Sequence, residues 1–163
     1  MVKVDFKKEL KHLYAPSAKG FEVVDVPRLQ YLMIDDHGDP NTAQEYQDAL
    51  DALYPVAYKI KFLSKKGLDR DYVVPPLEGL WWAEDMEAFT TGRDKSAWDW
   101  RMMIMQPEWV TREMFEGAVQ QVIKSKNPTA LPKLRLETYY EGLSVQILHI
   151  GSYDDEGPTL HRM

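Results

Sequence analysis

The chain has 163 residues, 44% hydrophobic and 28% charged, which is ordinary for one globular domain and enough to bury a sizeable core. Its formal net charge of −6, with no basic run beyond Lys7–Lys11 and Lys65–Lys66, disfavours a surface built on phosphate contacts, so no nucleic-acid partner is expected. It contains no cysteine, which removes disulfides, thiol nucleophiles and Cys-ligated zinc and agrees with a cytoplasmic location. The opening MVKVDFKKELKHLY has no apolar signal-peptide core, and no run of about 18 apolar residues provides a membrane span.

Residues 1–20 read as a polar lead-in that ends in the turn-rich Ala15–Gly20. Phe21–Ile34 is rich in Val and Leu and predicts a strand, with Pro27 marking an edge position or a bend. After the loop Asp35–Asn41, Thr42 and Glu45 form a capping-box pattern. Tyr46, Leu50, Leu53, Ala57 and Ile60 then follow at helical spacing. This helix is expected to reach Leu63, with Gly67 as its stop and Pro55 kinking or breaking it. Asp71–Val74 begins a strand that Pro75–Pro76 interrupts and Leu77–Glu84 continues. Ala97–Met105 is the next strand, paired with it as a hairpin around Thr90–Lys95.

Thr111 is a helix cap, and Met114, Phe115, Ala118, Val119, Val122 and Ile123 form a helical stripe that Asn127–Pro128 ends. Leu134–Tyr140 predicts a strand, Glu141–Gly142 a tight turn, and Leu143–Ile150 an antiparallel return. The loop Gly151–Pro158 then starts a helix that has completed about one turn at Met163, too short to stand alone. A further C-terminal piece is therefore expected.

Four of the five Trp fall between Pro75 and Pro107: Trp81, Trp82, Trp98 and Trp100. Such side chains supply large rigid area with a polar tip, suited to a hydrophobic ligand, although packing in a small core explains them too. Strand alternation places Trp81 and Trp82 on opposite faces, and Trp81 is the expected ligand contact. Trp98 and Trp100 share a face with Met102 and Ile104, so they should act together. Glu78 and Glu137 are the strand-borne acids. Glu137 shares a face with Tyr139, and its plainer reading is an exposed residue paired with Arg135 or Lys133. Glu78, next to Gly79, reads equally well as loop. Gln146 and His149 face opposite ways along the last strand, and His149 is more simply a core residue. His12, His37, His149 and His161 match no metal-ligand spacing, and Asp35, Asp36 and Asp39 lack the calcium-loop pattern.

The strings LEGLWW (Leu77–Trp82), WDWRMMIMQP (Trp98–Pro107), DALDALYPVAYKIK (Asp48–Lys61) and EGLSVQILHIGSYDDEGPT (Glu141–Thr159) resemble the GyrI-like small-molecule-binding domain family over residues 20–160. The paired-Trp strings are similar to its stand-alone branch, which includes hydrolases of cyclopropane-bearing DNA-alkylating natural products. The resemblance implies an α+β fold of two strand–helix–strand–strand modules, related by pseudo-two-fold symmetry around a central ligand cleft. The second module would be truncated, because the family continues past the position of Thr159 with two strands, one bearing its pocket glutamate. It further implies a small hydrophobic or cationic ligand, no cofactor, and a place at the cleft for Tyr153. Ring opening by water needs a base for the water and a donor to the conjugated carbonyl. Within this sequence Glu137 and Tyr139 are assigned those roles, and Trp81, Trp98, Trp100, Tyr153 and Gln146 the ligand contacts. The alternative is a non-catalytic binding module: a sensor, a drug sequestrant or a gyrase-modulating protein.

Overall fold

Tyr31–Ile34 and Met102–Ile104 are apolar without interruption, so both faces of their strands must be covered. A computed structural model describes all residues, 1–163, and places these two segments side by side at the centre of a sheet. In chain order the elements are β1 (Lys3–Val4), α1 (Phe6–Glu9), α2 (Lys11–Tyr14), β2 (Glu22–His37), α3 (Gln44–Gly67), β3 (Asp71–Tyr72) and β4 (Leu77–Trp82). They continue with β5 (Asp99–Gln106), α4 (Arg112–Ser125), β6 (Arg135–Gln146) and α5 (Gly157–Arg162). The fold is α+β, with an antiparallel four-stranded sheet in the order β4-β5-β2-β6. No helix is long and apolar enough to cross a membrane.

One sheet face carries Leu32, Ile34, Trp100, Met102, Ile104 and Leu136. It packs on Ala49, Leu53, Val56 and Ile60 of α3 and on Phe115, Ala118 and Val122 of α4. The other face carries Tyr31, Met33, Met103 and Met105. Phe6 and Leu10 from the first residues pack there, so the expected lead-in is a folded part of the domain. Its anchor is β1, which pairs in parallel with β3. Beneath that pairing, Lys61 of α3 donates to the Asp71 carboxylate and to the Tyr72 carbonyl at 2.8 Å. Lys61 is 9% exposed and Asp71 7%, so each charge relies on the other for solvation. Hydrogen bonding from Lys61 holds the Asp71 carboxyl below its usual range.

Several expectations need correction. The first long helix starts at Gln44 without a side-chain cap, because Thr42 is held in a turn by its amide bond to the Asp39 carbonyl. It runs unbroken through Pro55, since burial of Ala52, Leu53, Val56 and Ala57 around the proline outweighs one lost hydrogen bond. Asp71–Tyr72 does not continue into Leu77–Trp82 but pairs with β1 in a separate ladder. The strand after the hairpin loop begins at Asp99. Trp98 instead caps the short 3-10 turn Lys95–Ala97, so it does not share a strand face with Trp100. The expected turn at Glu141–Gly142 is absent, and β6 passes through it in one register with β2, from Met33↔Arg135 to Glu22↔Gln146. The 16 residues of β2 offer a longer ladder than a local hairpin could. The first half thus contains a strand–helix–strand–strand run, and the second contains α4 followed by the single long strand β6.

Trp100 is 0% exposed and its Nε1 donates to the Gly38 carbonyl at 3.2 Å. Trp100→Ala is expected to cost about 3–5 kcal/mol, as truncation of a buried aromatic does. The loss would be read as a lowered urea midpoint with little change in slope.

Candidate functional site

Within β4, Leu77 packs towards α3 and α4, so alternation sends Glu78 to the opposite face, where α2 lies. There the Tyr14 hydroxyl donates to Glu78 Oε2 at 2.9 Å. The pair borders a cavity of about 190 Å³. Its other walls are Leu13 of α2, Val24, Val26, Leu29 and Tyr31 of β2, and Glu141, Ser144, Val145 and Gln146 of β6. No Lys, Arg or His lines it. Burial therefore pushes the Glu78 carboxyl up from 4.5 to about 7. The Tyr14 bond opposes that rise, and the Glu141 charge adds to it. Burial, reinforced by the negative charge of Glu78, drives the Tyr14 and Tyr31 hydroxyls far above their usual range, so both stay neutral donors.

The cavity depends on a bend in the β2–β6 ribbon. Val24 and Val26 line it, but so do Leu29 and Tyr31, which have the other parity along the strand. Alternation is interrupted between Val26 and Leu29, at Pro27. Opposite Val26 in the register stands Gly142, whose φ is +74°. An L side chain there would be strained, so the glycine read as a turn signal is used for a bend within the strand. The bent end also holds the N-terminal segment. Gln146 Nε2 donates to the His12 carbonyl at 2.8 Å, and the Leu148 amide donates to the Ser17 carbonyl at 3.1 Å.

The residues expected from sequence fall into three places. Gln146 lines the cavity, with its amide nitrogen occupied by His12. Tyr139 lies just outside, edge-on to Tyr31 at 6.4 Å. Glu137 is half-exposed in an ion network. Its partner Arg135, 3.3 Å away, also bonds Asp35 at 2.8 Å, and Asp35 takes two bonds from Arg101. The tryptophans lie elsewhere. Trp81 is 36% exposed, stacked on Tyr46 at 6.3 Å and edge-on to Trp98 at 5.6 Å. Trp98 is buried against Phe89 and donates to the Ala88 carbonyl at 3.1 Å. Trp100 belongs to the core, and Tyr153 is 80% exposed, its carbonyl accepting from Arg93 at 3.2 Å. His149, beyond the end of β6, bonds the Ser152 carbonyl. No group of three or more His, Asp or Glu is placed to hold a metal ion.

Tyr14, Tyr31 and Glu141 were missed by sequence reasoning. A signal for Tyr14 existed: Phe6, Leu10, Leu13 and Tyr14 recur at helical spacing inside a segment read as polar. Because folding raises the Glu78 carboxyl, the folded state holds its proton more tightly than the unfolded chain. That contribution to stability is complete below the unfolded value and is lost as pH rises through about 7. Between about pH 5 and pH 8 the protein should lose up to about 3 kcal/mol relative to Glu78→Gln, measurable by urea unfolding of both at the two pH values.

No family model and no curated protein matches the chain. Solved structures do. An uncharacterized conserved protein from Listeria innocua is 42% identical, with a TM-score of 0.88, over 99% of this chain and 78% of its own. Two further crystal structures from the same organism, each described as a hydrolase, are each 40% identical over 99% of this chain, with TM-scores of 0.84 and 0.85 and 81% and 78% of their own chains covered. At such identity and coverage the likeness extends beyond the fold, and the chain belongs to one family with these Listeria innocua proteins.

Proposed function

We propose that this protein is a hydrolase that adds water to a hydrophobic, carbonyl-conjugated small molecule at the Glu78 cavity. The observation that carries the reading is a carboxyl raised to about 7 beside a neutral tyrosine donor, in a cavity without a cation. Such a group can give or take a proton near neutrality, as general acid–base chemistry requires. The hydrolases among the related Listeria structures support it. The substrate class we propose is cyclopropane-bearing alkylating compounds, which ring opening by water would disarm. Support comes from the resemblance of the paired-Trp strings to GyrI-like domains, and the two-module symmetry implied there belongs to the same proposal. A cavity of about 190 Å³ is smaller than the roughly 300 Å³ of a drug-sized pocket, so it would take only the reacting headgroup.

A second reading, a binding module without turnover, draws on the part-exposed Trp81, whose stack on Tyr46 and edge contact with Trp98 offer an aromatic surface to a ligand. Incubation with a cyclopropane-bearing dienone alkylator separates the two. Mass spectrometry should show product heavier by one water, and Glu78→Gln should slow its formation by about 100-fold or more. Quenched Trp emission without hydrated product would leave only the binding module. Tyr14→Phe removes the bond that favours the Glu78 carboxylate. Its midpoint, followed by carbon NMR of labelled Glu, should therefore move further up, and a downward move would contradict the assigned contact.

A further inference from the structure

β4 and β6 are the two edge strands of the sheet, with β5 and β2 between them. Each nevertheless contributes a glutamate to the lining of the same cavity, Glu78 from β4 and Glu141 from β6, and the Glu141 charge acts on the Glu78 carboxyl. Glu141 immediately precedes Gly142, and the positive φ of that glycine redirects the strand just beyond it.

The two acids differ in a way that divides labour. Glu78 is largely enclosed and bonded by Tyr14, whereas Glu141 is exposed to solvent. Neither forms an ion pair, and Tyr14 is the one side chain that bonds either of them. An unpaired carboxylate that shares a cavity with a second one is poorly explained as a stabilising feature, because like charges repel.

We propose that Glu141 is a second catalytic carboxylate of this site, taking the proton of the attacking water while Glu78 delivers a proton to the substrate carbonyl oxygen. The inference rests on the hydrolase reading above. Water oxygen bonds to the ring methylene carbon, and the bond from that carbon to the conjugated ring breaks. Its electron pair passes through the conjugated system to the carbonyl oxygen, which receives the proton of the Glu78 carboxylic acid. Glu141 holds the proton lost by water. The sum is addition of one water, and proton exchange between the two carboxyls through cavity water restores the starting state. An enclosed acid opposite a solvated base is the arrangement that separates the two roles. The groups facing the pair are the hydroxyls of Tyr14 from α2 and Tyr31 from β2, both held neutral, so neither brings a charge to the site.

The test is the pH dependence of dienone hydration by wild type, Glu78→Gln and Glu141→Gln, read by mass spectrometry. Glu141→Gln should lower kcat about 100-fold or more, and Glu78→Gln should remove the wild type's fall in rate as pH rises through about 7. Labelled-Glu NMR supplies a readout independent of turnover: the Glu78 midpoint should fall in Glu141→Gln, because a like charge has gone. A wild-type rate and profile in Glu141→Gln would overturn the role of Glu141 and leave the hydrolase reading standing. An unmoved Glu78 midpoint would overturn the shared cavity. No hydration by the wild type would overturn both readings.

Discussion

Sixteen residues of β2 bond to β5 along one edge and to β6 along the other, and the rest of the molecule is arranged around that double ladder. Gln30–Met33 take part in both pairings, so this stretch cannot shift register without breaking two ladders at once. Its side chains are committed on both faces, Leu32 and Ile34 to the helices and Tyr31 and Met33 to the N-terminal segment. From Glu22 to Leu29 the strand is paired on one side only, with β6, and is free to bend. The rigid centre and the bent end together give a scaffold with a cavity at its margin.

That cavity gains its chemistry from what covers it. An acid on an open sheet face would titrate as an ordinary carboxylate. Glu78 does not, because α2 lies over it and Tyr14 alone offers it a hydrogen bond. The cover is held far from the site, through the β1–β3 pairing, the Lys61–Asp71 ion pair, and Phe6 against Tyr72 and Trp109. Burial of Glu78 thus works against stability near neutrality, and the anchoring of the first residues offsets it.

Much of the architecture is legible in the sequence. The helical stripes of α3 and α4 and the β4–β5 hairpin follow from local periodicity and turn chemistry. The errors share a cause. At Pro55, Thr42 and Gly142 a correct local preference was overridden by partners distant in sequence: a buried helix face, a turn through Asp39, and the long ladder of β2. The site was legible in part. Glu78 and Gln146 were singled out, but the density of Trp drew attention to Trp98 and Trp100, which pack against Phe89 and in the core.

What the sequence by itself determined is the α+β class, the acidic cysteine-free character, and the presence of strand-borne acids among aromatics. Periodicity and composition are properties of neighbours, and they carry that much. Only the tertiary structure decided which acid matters. Tyr14 and Glu78 are 64 residues apart, and the chain between them includes all of β2 and α3. Burial of a carboxyl, and the proton affinity that follows from it, are set by what folds over it, which no local pattern encodes. The aromatic run from Pro75 to Pro107 proved to matter for a residue near its start, Glu78, whose environment comes from the far ends of the chain.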